Sequence, residues 1–198
     1  LEAPVRFESL RNPNPQRFVR AYRFESLALA VPYERLLGRK SGDPAWSEDL
    51  RAYYLVPSKD PRFAELARQI TAELPAAKRE DPFLRALAIK LWMDKELSYS
   101  TRERHANVPD PTADFLFGNR IGYCVHFAHA AVFLWRSLGI PARVAAGYAT
   151  SEDDREGSSI LIDSGNGHAW PELYLEGVGW TVLDAHGVEL AQPRSPLG

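Results

Sequence analysis

The stretch GYCVHFAH, residues 122–129, holds the single cysteine of a 198-residue chain, Cys124, followed closely by His126 and His129. A thiol so placed could be a nucleophile, a metal ligand beside the two histidines, or an inert buried group. Helix geometry bears on the choice. If a helix starts at or just after Gly122, each residue advances about 100°, so Cys124 shares a stripe with Ala128, Ala131 and Trp135. His126 then lies about 200° away and His129 about 140° away, so neither faces the thiol. No CxxC, HExxH or second cysteine completes a metal site. The two histidines are expected to pack or hydrogen-bond, and neither a metal nor any other cofactor is expected. A cysteine in the first helical turn meets unpaired backbone N–H groups and the positive end of the helix dipole, which favour its thiolate.

A nucleophilic cysteine needs a base within hydrogen-bond reach, commonly oriented by a carboxylate or amide on its far nitrogen. His105 lies in a polar connector, His186 follows the last apolar run, and His168 opens the run GNGHAWPELYL. Glycines around His168 let backbone and ligand approach closely. Across the turn EGVG, the run GWTVLDA carries Asp184 on the strand expected to pair with that of His168. Residues 168, 170, 172 and 174 share one strand face, and 180, 182, 184 and 186 share one face of the next. The two faces coincide only if the hairpin loop has an odd number of residues or contains a bulge. Glu172 and Asp163 are alternative orienting acids, and His186 is an alternative base.

The elements that must hold these groups are legible from residue 60 onward. DPRFAELARQITAEL and DPFLRALAIKLWMDKEL each open with an acidic cap and a proline, then carry apolar residues at helical spacing. The second helix is expected to end before an extended SYST, and TRERHANVPDPTADFLFGNRI reads as a long connector bordering a site. CVHFAHAAVFLWRSLG is apolar on nearly every face, which predicts a buried central helix stopped by Gly139 and Pro141. ARVAAGYAT, GHAWPELYL and GWTVLDA then read as three strands, with SEDDREGSSI as an acidic surface loop. Helices followed by an antiparallel meander predict an α+β domain with the cysteine helix packed on the sheet. Residues 1–56 read as an α+β or loosely structured lead-in and 57–198 as the core domain. The pentapeptide RFESL occurs at 6–10 and 23–27, too short a recurrence to imply a repeat architecture.

These blocks resemble a known family. GYCVHFAHAAVFLWRSLGIPARVAAGY, NGHAWPELYL and GWTVLDA are similar to the three blocks of the transglutaminase-like superfamily, over about residues 114–185. The resemblance implies a papain-like α+β fold with Cys124 as nucleophile, His168 as general base and acid, and Asp184 as the group orienting the imidazole. It implies acyl transfer through a thioester on a peptide or protein carboxamide, ending in amide cross-linking, deamidation or peptide hydrolysis; the alternative is an idle peptide-binding module. A peptide or protein is the implied partner, with a primary amine or water as acceptor. The upstream helices and YYLVPSKDPRFAELA resemble bacterial members anchored in membranes, which implies an extracytoplasmic domain of a longer chain, the alternative being a cytoplasmic protein. Val125 and His129 depart from the related bacterial pattern, as does DAH where DPT is usual.

The balance of 24 basic and 26 acidic residues provides no basic surface for nucleic acid. No apolar run approaches the roughly 20 residues that span a bilayer, so this segment itself is expected to make no membrane contact. A single cysteine does not choose between redox compartments.

Overall fold

A computed structural model describes residues 3–16, 20–27, 31–150, 155–156, 159–160, 162 and 164–185. The chain divides into two compact units, residues 1–32 and 33–198.

In the first unit, β1 (Ala3–Leu10) pairs antiparallel with β2 (Ala21–Leu27). The two RFESL copies face one another, with Arg6 opposite Glu25, Phe7 opposite Phe24 and Glu8 opposite Arg23. Read antiparallel, Arg-Phe-Glu aligns with Glu-Phe-Arg, so the register sets each basic position opposite an acidic one. Arg23 and Glu8 form an ion pair at 3.6 Å. The recurrence therefore has a structural meaning, strand pairing, which five residues read along a line did not disclose.

The second unit begins with a short helical turn and α1 (Glu48–Leu55), capped by the Ser47 hydroxyl. Three Asp-Pro pairs then start three helices: α2 (Pro61–Ala72), α3 (Pro82–Glu96) and α4 (Pro111–Asp114). At each, the aspartate side chain accepts from backbone N–H groups of the first turn while proline occupies the first helical position, where it sacrifices no bond. The third lies in the stretch expected to be a connector. It continues into a π-helical turn, Phe115–Asn119, closed by Arg120 in the left-handed region. Between α3 and α4 lies β3 (Ser98–Tyr99), which pairs in parallel with β4 (Ile121–Gly122).

The central helix, α5 (Cys124–Ser137), is buried over most of its circumference. It packs between α2 and α3 on one side and a sheet on the other. The sheet runs β5 (Ala142–Tyr148), β8 (Gly167–Leu175), β9 (Gly179–Val182), all antiparallel. The short pair β6 (Arg155–Glu156) and β7 (Ser159–Ile160) lies within the β5–β8 connection. Ala169, Leu173 and Leu175 of β8 are buried, and the helix that covers this strand offers small residues, Ala128, Ala130 and Ala131, that permit a close approach. Trp135 is fully enclosed, and its indole N–H donates to the Ala86 carbonyl at 3.3 Å, so its polar atom is satisfied. Trp135→Ala would cost about 3–5 kcal/mol. The expected α+β arrangement, with the cysteine helix on an antiparallel sheet, is the one found. Among the described residues no helix is long and apolar enough to cross a membrane.

Candidate active site

Cys124 is the first residue of α5 and is partly exposed. The chain enters the helix extended at Tyr123 and turns there, with the Tyr123 carbonyl accepting from the His126 and Phe127 N–H groups. Glycine is required at 122: a Cβ there would stand 2.8 Å from the Phe115 ring and 2.9 Å from His126 Nδ1. The β3–β4 bridge sets Tyr99 beside Gly122, two residues before the thiol. The Tyr99 phenol consequently sits against Cys124. Burial raises its pKa, the charge of Cys124 adds to that, the Cys124 N–H opposes it, and Asp184 raises it further. Tyr99 thus remains protonated at neutral pH and able to donate.

His168 and Asp184 meet across the β8–β9 hairpin. Leu175 pairs with Gly179 around a three-residue turn, with φ of 71° at Gly177 and 101° at Gly179. An odd loop keeps even-numbered residues of both strands on one face, as the parity argument requires. Asp184 Oδ2 lies 2.6 Å from His168 Nε2, the two side chains being 12% and 14% exposed. The bond uses one ring nitrogen and leaves Nδ1 for a reacting group. The Trp170 ring stacks beside the imidazole, 6.0 Å between centroids and 22° between planes. Burial raises the Asp184 pKa, although the His168 hydrogen bond, its charge and Lys90 lower it, and Asp94 raises it again.

The alternatives are resolved where the structure describes them. Glu172 shares the His168 face but accepts from Arg143 Nε at 2.7 Å and Trp170 Nε1 at 3.1 Å. Its carboxylate, 3% exposed, steers the indole that stacks on His168 and does not itself orient that ring. Asp163 and His186 lie outside the described residues. His129 Nδ1 is 2.8 Å from the Val125 carbonyl, one turn back. His126 is buried and its Nδ1 accepts from the Tyr123 N–H. Among the described residues no group of three His, Cys, Asp or Glu side chains is placed to hold a metal ion.

His105 was a candidate base on composition alone. The structure engages both of its nitrogens, Nδ1 with Asp114 Oδ2 at 2.6 Å and Nε2 with the Ile121 carbonyl at 2.7 Å, so neither nitrogen is open to the thiol or a substrate. Sequence reasoning missed this network. Its one signal was a histidine nine residues before an aspartate in a connector otherwise read as irregular.

A family model described as the transglutaminase-like superfamily matches residues 64–185, which contain Cys124, His168 and Asp184. The chain belongs to the transglutaminase-like superfamily. The match begins upstream of the blocks that carried the sequence resemblance and takes in most of α2 and all of α3. Among curated superfamily relatives, a protein-glutamine gamma-glutamyltransferase of Pseudomonas aeruginosa is 33% identical over 158 residues, covering 76% of this chain and 23% of the relative. The YebA protein of Bacillus subtilis is 29% identical over 150 residues, covering 64% of this chain and 20% of the relative. The crystal structure of the periplasmic domain of TgpA from P. aeruginosa is similar with a TM-score of 0.59 at 31% identity, covering 71% of this chain and 48% of that one. The chain therefore spans less than a quarter of these two relatives and about half of the crystallised domain.

Proposed function

We propose that this domain catalyses cysteine-dependent acyl transfer on a peptide or protein carboxamide. The observation that carries the reading is the His168–Asp184 pair at 2.6 Å, with Cys124 opening α5 and Tyr99 set against its thiol. In the first step, the Cys124 thiol gives its proton to His168, the thiolate attacks the carboxamide carbon and the carbonyl oxygen takes up the negative charge. The C–N bond then breaks, His168 delivers its proton to the departing amine or ammonia, and a thioester remains. In the second step, His168 removes a proton from an incoming amine or water, which attacks the thioester and returns the thiol. Asp184 holds the imidazole in the useful tautomer and stabilises its charged form.

The oxyanion is held by the Cys124 backbone N–H and by a second donor. Tyr123, Tyr99 and Trp170 are three aromatic candidates for it. The position of Tyr99 against Cys124 favours that residue, and the Trp170 N–H is already given to Glu172. All the groups invoked lie within residues 57–198, the segment to which we assign the chemistry. The similarity to a periplasmic domain supports an extracytoplasmic location.

The test is incubation with a glutamine-containing peptide and a primary amine, followed by mass spectrometry. Amine adducts identify transfer, a gain of about one mass unit identifies deamidation, and fragments identify hydrolysis. The reading is overturned if a broad peptide panel yields no product and iodoacetamide labels Cys124 no faster than a free thiol, with His168→Ala making no difference.

A further inference from the structure

A second histidine–aspartate pair lies behind the nucleophile. His105 sits in the connector between β3 and α4, its backbone at φ 47° and its side chain 1% exposed. Its two nitrogens face two acceptors, a carboxylate and a backbone carbonyl, and only an imidazolium can donate to both. The neighbouring His126 ring, 4.8 Å away, does the complementary work as a neutral group: Nδ1 accepts from the Tyr123 N–H, and the ring also bonds the Arg104 backbone. Adjacent connector residues 104 and 105 therefore grip the chain on both sides of Gly122. Ser98 N–H to the Arg120 carbonyl and Ser100 N–H to the Gly122 carbonyl hold the opposite edge, at 2.9 and 2.6 Å.

We propose that His105, held by Asp114, is a positioning residue for the nucleophile: its second ring N–H anchors the Ile121 carbonyl and, with His126, fixes the run from which the Cys124 thiol and N–H project. The proposal rests on the acyl-transfer reading for its effect on rate, and on geometry alone for the clamp. A preset N–H and thiol lose rate steeply when displaced, on the order of 100-fold for a shift near 1 Å.

Protonation is part of the device. Neutral His105 keeps one N–H, so a lone pair must face either the carboxylate or the carbonyl, and one anchor is lost. The charged and titratable groups around the ring are Asp114 from α4, Glu103 from the connector and His126 from α5. Burial works against the charge, but Asp114, the Ile121 carbonyl and Glu103 together raise the pKa above its ordinary value. The clamp is closed while His105 holds its proton and opens as pH rises through this raised pKa.

His105→Gln and Asp114→Asn test this, because glutamine cannot span both acceptors and asparagine removes the charge that retains the proton. Both variants are expected to lose about 10- to 100-fold in kcat with KM within about twofold, and Asp114→Asn to shift the alkaline limb of the rate profile to lower pH. Amide hydrogen exchange at Gly122 and Tyr123 should accelerate about tenfold in both. The proposal is overturned if folded Asp114→Asn keeps its kcat, alkaline limb and exchange rates, whether or not His105→Gln folds. Should no substrate turn over, the acyl-transfer reading fails separately, and the exchange rates still decide the clamp.

Discussion

Two histidine–aspartate pairs, each closed at 2.6 Å, lie in one domain and differ in what their ring nitrogens are given to. In His168–Asp184 the ring spends one nitrogen on the acid and keeps the other. In His105–Asp114 both nitrogens are spent, the second on a backbone carbonyl. Their surroundings differ as well: Asp184 is 12% exposed and its pKa is raised by burial, whereas Asp114 is 47% exposed and its partner's is raised. The number of occupied ring nitrogens, more than the presence of an acid, separates a candidate base from a strut.

The sharpest way to break this distinction is to remove each ring. His168→Ala should lower kcat by about 10⁴-fold or more, as should Cys124→Ala, in a single-turnover assay for the thioester. If His105→Gln fell as far, the two pairs would not differ in kind.

Asp184→Asn should cost on the order of 10²- to 10⁴-fold in kcat, through loss of the imidazole's tautomer and charge partner. Its effect on stability should be opposite in sign to that of Asp114→Asn. Folded Asp184 binds its proton more tightly than the unfolded chain does, so ionising it costs stability as pH rises through the carboxylate range. At neutral pH, thermal melts should therefore show Asp184→Asn at or above the parent Tm, and Asp114→Asn about 2–4 °C below it.

Tyr99→Phe should reduce kcat on the order of 100-fold with little change in KM, as for loss of one oxyanion donor. An unchanged kcat would remove Tyr99 from that role and return it to Tyr123 or another group.

The smallest effect concerns pH and stability. His105 has a raised folded pKa, so its contribution is complete below the unfolded value of about 6.5 and is lost as pH rises through the folded one. The Tm difference between the parent and His105→Gln should shrink as pH rises through that window. A difference that grew with pH would refute the imidazolium.

Much of this site was legible in one dimension. The helix start at Cys124 was readable from the apolar run that follows it, and strand alternation put His168 and Asp184 on a common face once the loop was odd. Glu172 could not be separated from Asp184 by alternation, since both occupy that face; Arg143 and Trp170 made the choice by claiming the Glu172 oxygens. Tyr99 was one of three aromatic candidates until a two-residue parallel bridge set it beside Gly122. Such a bridge is too short to leave a periodic signal. The Asp-Pro start of α4 was present in the letters, yet a four-residue helix running into a π turn has no apolar stripe to reveal it.

Sequence alone therefore determined the elements and their polarity: where helices begin, which one is buried, and which residues share a strand face. These follow from local rules of capping and periodicity that act within a few residues. Tertiary structure alone decided which polar groups meet, and so which histidine retains a free nitrogen. A hydrogen bond between His105 and Ile121, or between Tyr174 and Asp43, joins residues whose separation along the chain carries no code. The physical reason is that hydrogen-bond partnership is set by packing and burial in three dimensions, where a buried donor must take whatever acceptor the fold brings to it.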